Sequence, residues 1–128
     1  MSTPAHGEPK LLLLVDDDDD IREVAAAALE LVDGFRIVTA TSGLTAVQQA
    51  QEHCPDAILL DVMMPGMDGL ETVIQLKAAP RTAHIPVILL TARVDGHTPE
   101  DTVAGVIAKP FDPMRLGTEV SRLLGWVS

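Results

Sequence analysis

The sequence has little cysteine, few aromatic residues and little positive charge. Its single cysteine, Cys54, excludes an intramolecular disulfide and favours a reducing compartment. Aromatic residues make up 2% of the chain and tyrosine is absent, so aliphatic side chains must build the core. The formal net charge of −10 argues against a nucleic-acid partner, because a nucleic-acid-binding surface requires a basic patch.

Long hydrophobic runs are also missing. The longest aliphatic run near the start covers residues 11–15, whereas about 20 apolar residues are needed to span a bilayer. Residues 1–9 contain two prolines and lack the apolar segment of a signal peptide, so we expect a flexible N-terminal segment there. The length of 128 residues suits one domain, expected over 10–126, with no effector domain. These features indicate a cytoplasmic protein with no membrane partner.

Apolar segments of strand length alternate with segments of helical periodicity along the chain. The predicted strands cover 10–15, 35–40, 57–60, 87–90 and 105–108. The predicted helices begin near Asp20, Ser42, Asp68, Thr98 and Asp112. The apolar residues at helical spacing include Val24, Ala25, Ala28, Val32, Leu44, Ala50, Leu70 and Ile74. A strand–helix unit repeated in this way predicts an α/β fold, with a five-stranded parallel sheet and helices on both faces.

Polar side chains follow several predicted strands at the point where each strand ends. Asp16 and Asp17 follow the first strand, Asp61 the third, Thr91 the fourth and Lys109 the fifth. In open parallel sheets, ligands bind beyond the carboxyl ends of the strands, so we expect these residues to converge in one cleft. A buried carboxylate without a partner is strongly penalised, which means that Asp61 requires a positive charge nearby.

The chemistry of this set points to phosphoryl transfer. The carboxylates of Asp16, Asp17 and Asp61 repel one another unless a cation lies among them, and such oxygen ligands suit Mg²⁺. Asp61 can then act as a nucleophile toward phosphorus, with Lys109 as a fixed positive charge and Thr91 as a hydroxyl donor to the phosphoryl oxygens. Because the lysine must turn back into the cleft, the bond from Lys109 to the following proline is predicted to be cis.

Each of these residues also has an ordinary structural explanation. A run of aspartates after a strand is often an N-cap and a solvated first helical turn. Thr91 is a common type of residue at a strand end, and Lys109 at a surface. Their joint placement at the ends of four strands favours a functional site over these separate explanations.

The chain resembles the receiver domain of two-component response regulators, a flavodoxin-like phosphoacceptor module. The resemblance covers residues 10 to about 125 and rests on LLLLVDD (11–17), Ala40, Gly43 with Ala46, Pro55-Asp56, LDVMMPGMDG (60–69), IPVILLTA (85–92) and KPF (109–111). It implies the sheet order 2-1-3-4-5.

The resemblance also implies the function and the metal ligands. Asp61 would accept a phosphoryl group from the phosphohistidine of a sensor histidine kinase or phosphotransfer protein, or from a small phosphodonor. Asp17 and Asp61 would bind Mg²⁺ directly, Asp16 through water, and Met63 through its backbone carbonyl. Output would pass to an unknown downstream protein, and a homodimer is left open.

Further residues of the phosphoryl pocket follow from the same resemblance. Thr91 and Lys109 would contact the phosphoryl group, and the small side chain of Ala92 would leave room for it. Met63 and Arg93 lie two residues beyond Asp61 and Thr91, at positions that tune hydrolysis in this family. We expect bulky Met63 to hinder an attacking water.

Two features depart from the family pattern. The switch position on the fifth strand, three residues before Lys109, is aromatic in most receivers and is Val106 here, so Thr91 has no aromatic rotamer to couple with. Thr91 and Lys109 are 18 positions apart. The family has roughly 22, and a helical turn takes about 3.6 residues, so we expect the fourth helix to be shortened by about one turn.

Two alternative functions remain open. A phosphatase of the haloacid dehalogenase type would use Asp16 as its nucleophile, with Asp18 two residues on, although this gives Asp61 no role. A degenerate receiver that serves only as a binding scaffold is compatible with Val106 and with the shortened helix. Within the phosphoacceptor hypothesis, the residues do not separate a stand-alone receiver, a receiver excised from a longer chain and a phosphate shuttle.

Overall fold

The computed structural model describes residues 9–62, 69–92 and 103–126. Its strands are β1 (Leu11–Val15), β2 (Arg36–Ala40), β3 (Ala57–Asp61), β4 (Val87–Thr91) and β5 (Gly105–Ala108). The helices in these ranges are α1 (Asp19–Asp33), α2 (Gly43–His53), α3 (Gly69–Ala78) and α4 (Pro113–Leu124). None of them is long and apolar enough to cross a membrane.

The strands form one parallel sheet in the order β2-β1-β3-β4-β5. This confirms the predicted architecture and strand order, and the strand bounds agree to within one residue. The central strand β3 and its neighbour β4 are buried along their whole length. Their continuous apolar sequences are typical of parallel strands that are covered on both faces.

Helices cover both faces of the sheet, as predicted. Because successive side chains of a strand point to opposite faces, Leu13 and Val15 pack in one apolar cluster with α2 and α3, and Leu12 and Leu14 in another with α1 and α4. Burying a large aliphatic side chain contributes about 1.5–3 kcal/mol. These two layers therefore hold the sheet rigidly and fix the position of its carboxyl ends.

Local sequence signals define the helix ends. The predicted N-cap Ser42 accepts a hydrogen bond from the backbone N–H of Thr45 and forms a capping box with it. Gly34 ends α1 in the left-handed conformation with φ of 75°, a conformation that glycine adopts without steric cost. Asp112 caps α4, with Pro113 in its first turn.

The predicted inner faces of the helices were partly wrong. Val24, Leu44 and Ile74 are more than half exposed, although they lie at the helical spacing of a core stripe. The residues that face the sheet include Ala25, Ala28 and Ala50, as predicted, and also Ala46, Gly69 and Thr72, which were not predicted to do so. These let the helix backbones lie close to the sheet and leave some larger side chains at the surface. The helix predicted after Thr98, with its expected shortening, lies outside the described residues.

Candidate functional site

The predicted site residues lie at one edge of the sheet. Asp61 ends β3 and Thr91 ends β4, while Asp16 directly follows β1 and Lys109 directly follows β5. Parallel pairing in register places these strand ends side by side. Asp16, Asp61 and Thr91 are buried. The fold thus gathers polar groups from four strands in a cleft that is otherwise lined by the apolar core.

Three carboxylates and one ammonium group form the centre of this cleft. Carboxylate oxygens of Asp16, Asp17 and Asp61 lie within 4.8 Å of one another. The Nζ of Lys109 lies 3.0 Å from Oδ2 of Asp16 and 3.2 Å from Oδ2 of Asp61. The lysine therefore bridges two buried acids, which would otherwise repel each other strongly in a poorly solvated place.

The charge of Lys109 is maintained by its neighbours. Burial acts to lower its pKa, but the hydrogen bond to Asp16 and the charges of Asp61 and Asp16 outweigh burial and raise the pKa above the ordinary value of 10.5. The bond between Lys109 and Pro110 is cis, which confirms the prediction. Because its pKa is raised, Lys109 is a fixed cation at physiological pH.

Asp16 is held on every side by protein groups. One carboxylate oxygen accepts a hydrogen bond from the backbone N–H of Asp18 at 2.9 Å, and the other accepts one from Lys109. Its backbone N–H donates to the carbonyl of Ala40 at 3.2 Å. Its carbonyl accepts a hydrogen bond from Nη1 of Arg22 at 2.9 Å. The position of Asp16 is therefore determined before any ligand binds.

The five consecutive aspartates serve different purposes. Asp16 and Asp17 belong to the acidic cluster at the site. Asp18 is the N-cap of α1 and accepts hydrogen bonds from the backbone N–H groups two and three residues on. Asp19 and Asp20 lie in the first helical turn, where negative charge interacts favourably with the helix dipole. The predicted N-cap and solvated first turn account for Asp18, Asp19 and Asp20, whereas Asp16 and Asp17 lie in the acidic cluster.

The acidic cluster fits a small divalent cation. Three carboxylates and one ammonium leave a formal charge of −2 at the site. Hard oxygen ligands of this kind suit Mg²⁺, which binds through one or two carboxylates and retains several waters. Asp16 has both oxygens engaged by the protein, whereas Asp17 is exposed at the mouth of the cleft. This difference agrees with a direct ligand at Asp17 and a water-mediated one at Asp16.

An apolar cavity of about 440 Å³ opens beside Lys109. Its walls come from the first turns of α1, the end of β4 and the segment before α4: Asp20, Ile21, Val24, Ala92, Lys109, Pro110, Phe111 and Pro113. The predicted pocket residue Ala92 therefore lines this cavity together with Lys109.

The remaining predicted site residues are Val106, Met63 and Arg93. Val106 is half-buried on β5 opposite Leu89 and packs against the α2–α3 side of the core. An aliphatic residue thus occupies the predicted switch position. Met63 and Arg93 lie outside the described residues.

Arg22 is a site residue that the sequence did not reveal. The sequence pattern places it on the polar face of α1, with Asp20 and Glu23. In the structure its guanidinium turns back toward the start of the helix and reaches the Asp16 carbonyl. The available signal was its position in the first turns of α1, since helical side chains point toward the helix N-terminus.

Comparison with known proteins identifies the family. The family model for the response regulator receiver domain matches residues 12–121. The response regulator PleD of Caulobacter vibrioides is 42% identical over 95 residues, which are 70% of this chain and 20% of PleD. The phosphate regulon transcriptional regulatory protein PhoB of Escherichia coli is 38% identical over 115 residues, which are 84% of this chain and 48% of PhoB. The chain thus spans half or less of these relatives.

Solved structures agree with this assignment. The chemotaxis response regulator CheY4 of Vibrio cholerae superposes with a TM-score of 0.80 at 29% identity, over 91% of this chain and 99% of CheY4. The receiver domain of the sensor histidine kinase PA1611 from Pseudomonas aeruginosa gives a TM-score of 0.78 at 27% identity, over 92% and 99% of the two chains. That structure has a magnesium ion coordinated in its active-site cleft. The present chain belongs to the response regulator receiver domain family of two-component signalling.

Proposed function

We propose that the protein is a Mg²⁺-dependent phosphoacceptor switch in which Asp61 takes a phosphoryl group from a phosphohistidine and later loses it by hydrolysis. The environment of the Asp61 carboxylate is the main observation in support of this proposal. Its carboxylate ends a buried strand, lies 3.2 Å from the Lys109 ammonium and belongs to a cluster with Asp16 and Asp17. A carboxylate placed in this way is a suitable nucleophile toward phosphorus.

The transfer step is a displacement at phosphorus. An oxygen of Asp61 forms the new P–O bond while the P–N bond of the phosphohistidine breaks, and the imidazole nitrogen keeps the electron pair. Lys109 already contacts one Asp61 oxygen, so its positive charge lies next to a phosphoryl group on that carboxylate. Thr91, at the end of the neighbouring strand β4, would donate its hydroxyl to a phosphoryl oxygen. Such a step needs mainly positioning and charge stabilisation.

The proposed metal ligands are Asp17 and Asp61 directly, Asp16 through water, and the Met63 backbone carbonyl. The ion would neutralise negative charge on the phosphoryl oxygens. The magnesium ion in the cleft of the PA1611 receiver supports this choice of metal by similarity. Within this proposal, Met63 and Arg93 tune hydrolysis and Ala92 leaves space for the phosphoryl group.

The apolar cavity beside Lys109 suggests how a protein donor approaches. It adjoins the phosphoacceptor site, and its rim carries the acidic start of α1, with Asp20 among its lining residues. We propose that a histidine kinase or phosphotransfer protein places apolar side chains there, with basic groups facing the acids. Output would pass by protein–protein contact from the 10–126 unit, in the cytoplasm, which the single cysteine favours.

The decisive test is intact mass after incubation with acetyl phosphate and Mg²⁺, with the wild type beside Asp61→Asn. We expect one added phosphoryl group in the wild type only, and none when Mg²⁺ is chelated. An adduct that persists in Asp61→Asn would contradict the choice of acceptor and make Asp16 the next residue to test. A folded wild type that takes no phosphoryl group from acetyl phosphate or from a phosphorylated kinase would favour the scaffold function instead.

A further inference from the structure

Arg22 has an unusual environment for a charged residue on an acidic helix. Its side chain is only 13% exposed. Nη1 donates to the carbonyl oxygen of Asp16 at 2.9 Å, and Nη2 donates to Oδ1 of Asp19 at 2.6 Å. A largely buried guanidinium is tolerated only where it is well hydrogen-bonded. Part of this hydrogen bonding is directed at the backbone of the site rather than at its carboxylates.

The carbonyl that Arg22 binds belongs to the peptide joining Asp16 to Asp17. A peptide group is planar, so fixing its oxygen also fixes the orientation of the plane that contains the Asp17 nitrogen and Cα. The opposite side of Asp16 is tied to Ala40 through its backbone N–H. Holding both ends of Asp16 therefore determines the direction in which Asp17 leaves the strand.

We propose that Arg22 is a positioning residue for the divalent-cation site, acting through the Asp16–Asp17 peptide. This inference rests on the proposed function, because it concerns the Mg²⁺ that the phosphoacceptor requires. Arg22 orients Asp17 toward Asp61 without itself touching the ion or the phosphoryl group. By fixing this geometry Arg22 strengthens cation binding, whereas its positive charge alone would weaken it.

These two effects have opposite signs, which makes the proposal testable. A positive charge close to a cation site weakens cation binding, so a role limited to charge predicts tighter Mg²⁺ binding once Arg22 is neutralised. A positioning role predicts weaker binding after the same change, because Asp17 is no longer oriented. A residue that only stabilises the fold changes the unfolding midpoint without Mg²⁺ and leaves the affinity of the folded protein unaltered.

The experiment is calorimetric titration of Mg²⁺ into the full chain with no phosphodonor present, for the wild type and Arg22→Met. Methionine keeps an unbranched side chain and a good helix propensity, but it has no donor for the Asp16 carbonyl. We expect the dissociation constant to rise about 10-fold or more, which is typical of lost outer-shell support of a metal site. The shift of the unfolding midpoint on adding Mg²⁺ should shrink in parallel.

A matched control is available on α4. Arg122 forms a similar i,i+3 pair with Glu119 at 2.7 Å, and within the part of the chain that the structure describes it has no hydrogen bond to the site. Arg122→Met should therefore leave the Mg²⁺ affinity unchanged. Arg22→Lys, which keeps the charge and one donor group but loses the planar pair of donors, should bind Mg²⁺ with an affinity between those of the wild type and Arg22→Met.

The outcomes separate this inference from the proposed function. Unchanged or tighter Mg²⁺ binding by folded Arg22→Met would overturn the positioning role, while the phosphoacceptor function would stand if the wild type is still phosphorylated. A wild type that binds no Mg²⁺ would overturn both. If Arg22→Met does not fold, Arg22→Lys decides: Mg²⁺ binding weaker than in the wild type would support the positioning role, and wild-type affinity would overturn it. When acetyl phosphate is the donor, Arg22→Met should need a higher Mg²⁺ concentration for half-maximal phosphorylation and should keep the maximal phosphorylation rate of the wild type.

Discussion

Lys109 stabilises the fold by its contacts with two acids, and in the proposed function the same side chain would also contact the phosphoryl group. It balances two buried acids that belong to different strands, with Nζ at 3.0 Å from Asp16 and 3.2 Å from Asp61. A divalent cation in the same cluster would share this task. The stability of the protein should therefore depend on Lys109 and on Mg²⁺ in a coupled manner.

Replacing this lysine should expose the coupling. In Mg²⁺-free buffer we expect Lys109→Met to lower the free energy of unfolding by roughly 2–4 kcal/mol, because Asp16 and Asp61 lose their shared partner. Urea unfolding with and without Mg²⁺ measures the effect. The stabilisation on adding Mg²⁺ should be larger in Lys109→Met than in the wild type, since the variant binds the cation without competition from an ammonium group. Equal stabilisation in both would contradict a shared charge site.

The site residues differ in how far the sequence could predict them. Asp16, Asp61 and Lys109 follow apolar runs, and the convergence of strand ends in a parallel sheet is enough to bring them together. Arg22 could not be found in this way, because its partner is a backbone carbonyl. Hydrogen bonds to the backbone leave no trace in the pattern of side-chain types, whereas pairs of opposite charges do.

At the level of elements, the packing of α1 on α4 contains an unfavourable charge. Asp33 ends α1, where the helix dipole disfavours a negative charge, and its Oδ2 is buried with no hydrogen-bond partner among the described residues. The carboxylate lies directly against Gly117 of α4, where a Cβ would overlap it. Burial raises the pKa of Asp33 above its ordinary value of 3.8.

Neutralising this carboxylate should stabilise the protein at neutral pH. Because the folded state holds the Asp33 proton more tightly than the unfolded state, stability falls as pH rises from about 3.8 through the raised pKa. We expect Asp33→Asn to gain about 0.3–1 kcal/mol at pH 7 and nothing below the unfolded pKa. Urea unfolding midpoints over a pH series measure the difference between the two proteins.

A control at the opposite end of a helix tests the sign. Asp112 caps the N-terminus of α4, where negative charge is favourable, so Asp112→Asn should give no gain at pH 7. A gain of equal size in both variants would mean that a lower net charge alone is responsible. A constant difference between Asp33→Asn and the wild type at all pH values would exclude the burial of Asp33 as its cause.

The fold was more predictable than the helix faces. Short, mainly apolar segments identified the strands, and alternation of strands with helical periodicity implied a parallel sheet. Hydrophobic periodicity placed Ala50 correctly in the core, but it misplaced Leu44 and Ile74, which are exposed, and missed Ala46, which is buried. The closeness of helix and sheet decides which residues of an apolar stripe are covered. Side-chain hydrophobicity alone does not predict how close each helix lies to the sheet.

At the scale of the whole molecule, the carboxyl edge of the sheet combines charge and apolar surface. The acidic run at the start of α1, the carboxylate cluster and the apolar cavity all lie around Lys109. The opposite end of the sheet is different, with Trp126 packed on Phe35 and Lys10 over its ring. In the proposed function, a protein donor would reach Asp61 from the carboxyl edge, whereas a small donor would need only the cleft.

A substitution at the cavity should therefore distinguish protein donors from small ones. Val24 lines the cavity and is 54% exposed, so Val24→Glu should retain the fold while placing a charge where apolar donor side chains dock. We expect phosphotransfer to slow at least about 10-fold, the equivalent of 1.4 kcal/mol in the barrier. The donor for this assay is chosen from a panel of autophosphorylated histidine kinases, as the one that transfers its phosphoryl group fastest to the wild type. The acetyl phosphate rate should stay near that of the wild type.

The matched control for this prediction lies on the same helix. Leu31 is 86% exposed and lies seven residues further along α1, about 10 Å from Val24 and outside the cavity. Leu31→Glu changes the net charge equally, so it should leave both rates unchanged if contact at the cavity is what matters. Equal slowing in the two variants would indicate general repulsion of the kinase by added negative charge. If the donor docks at the cavity, the new glutamate becomes buried against apolar side chains, which carries a desolvation cost. Wild-type phosphotransfer in Val24→Glu would therefore mean that the donor docks elsewhere on the carboxyl edge.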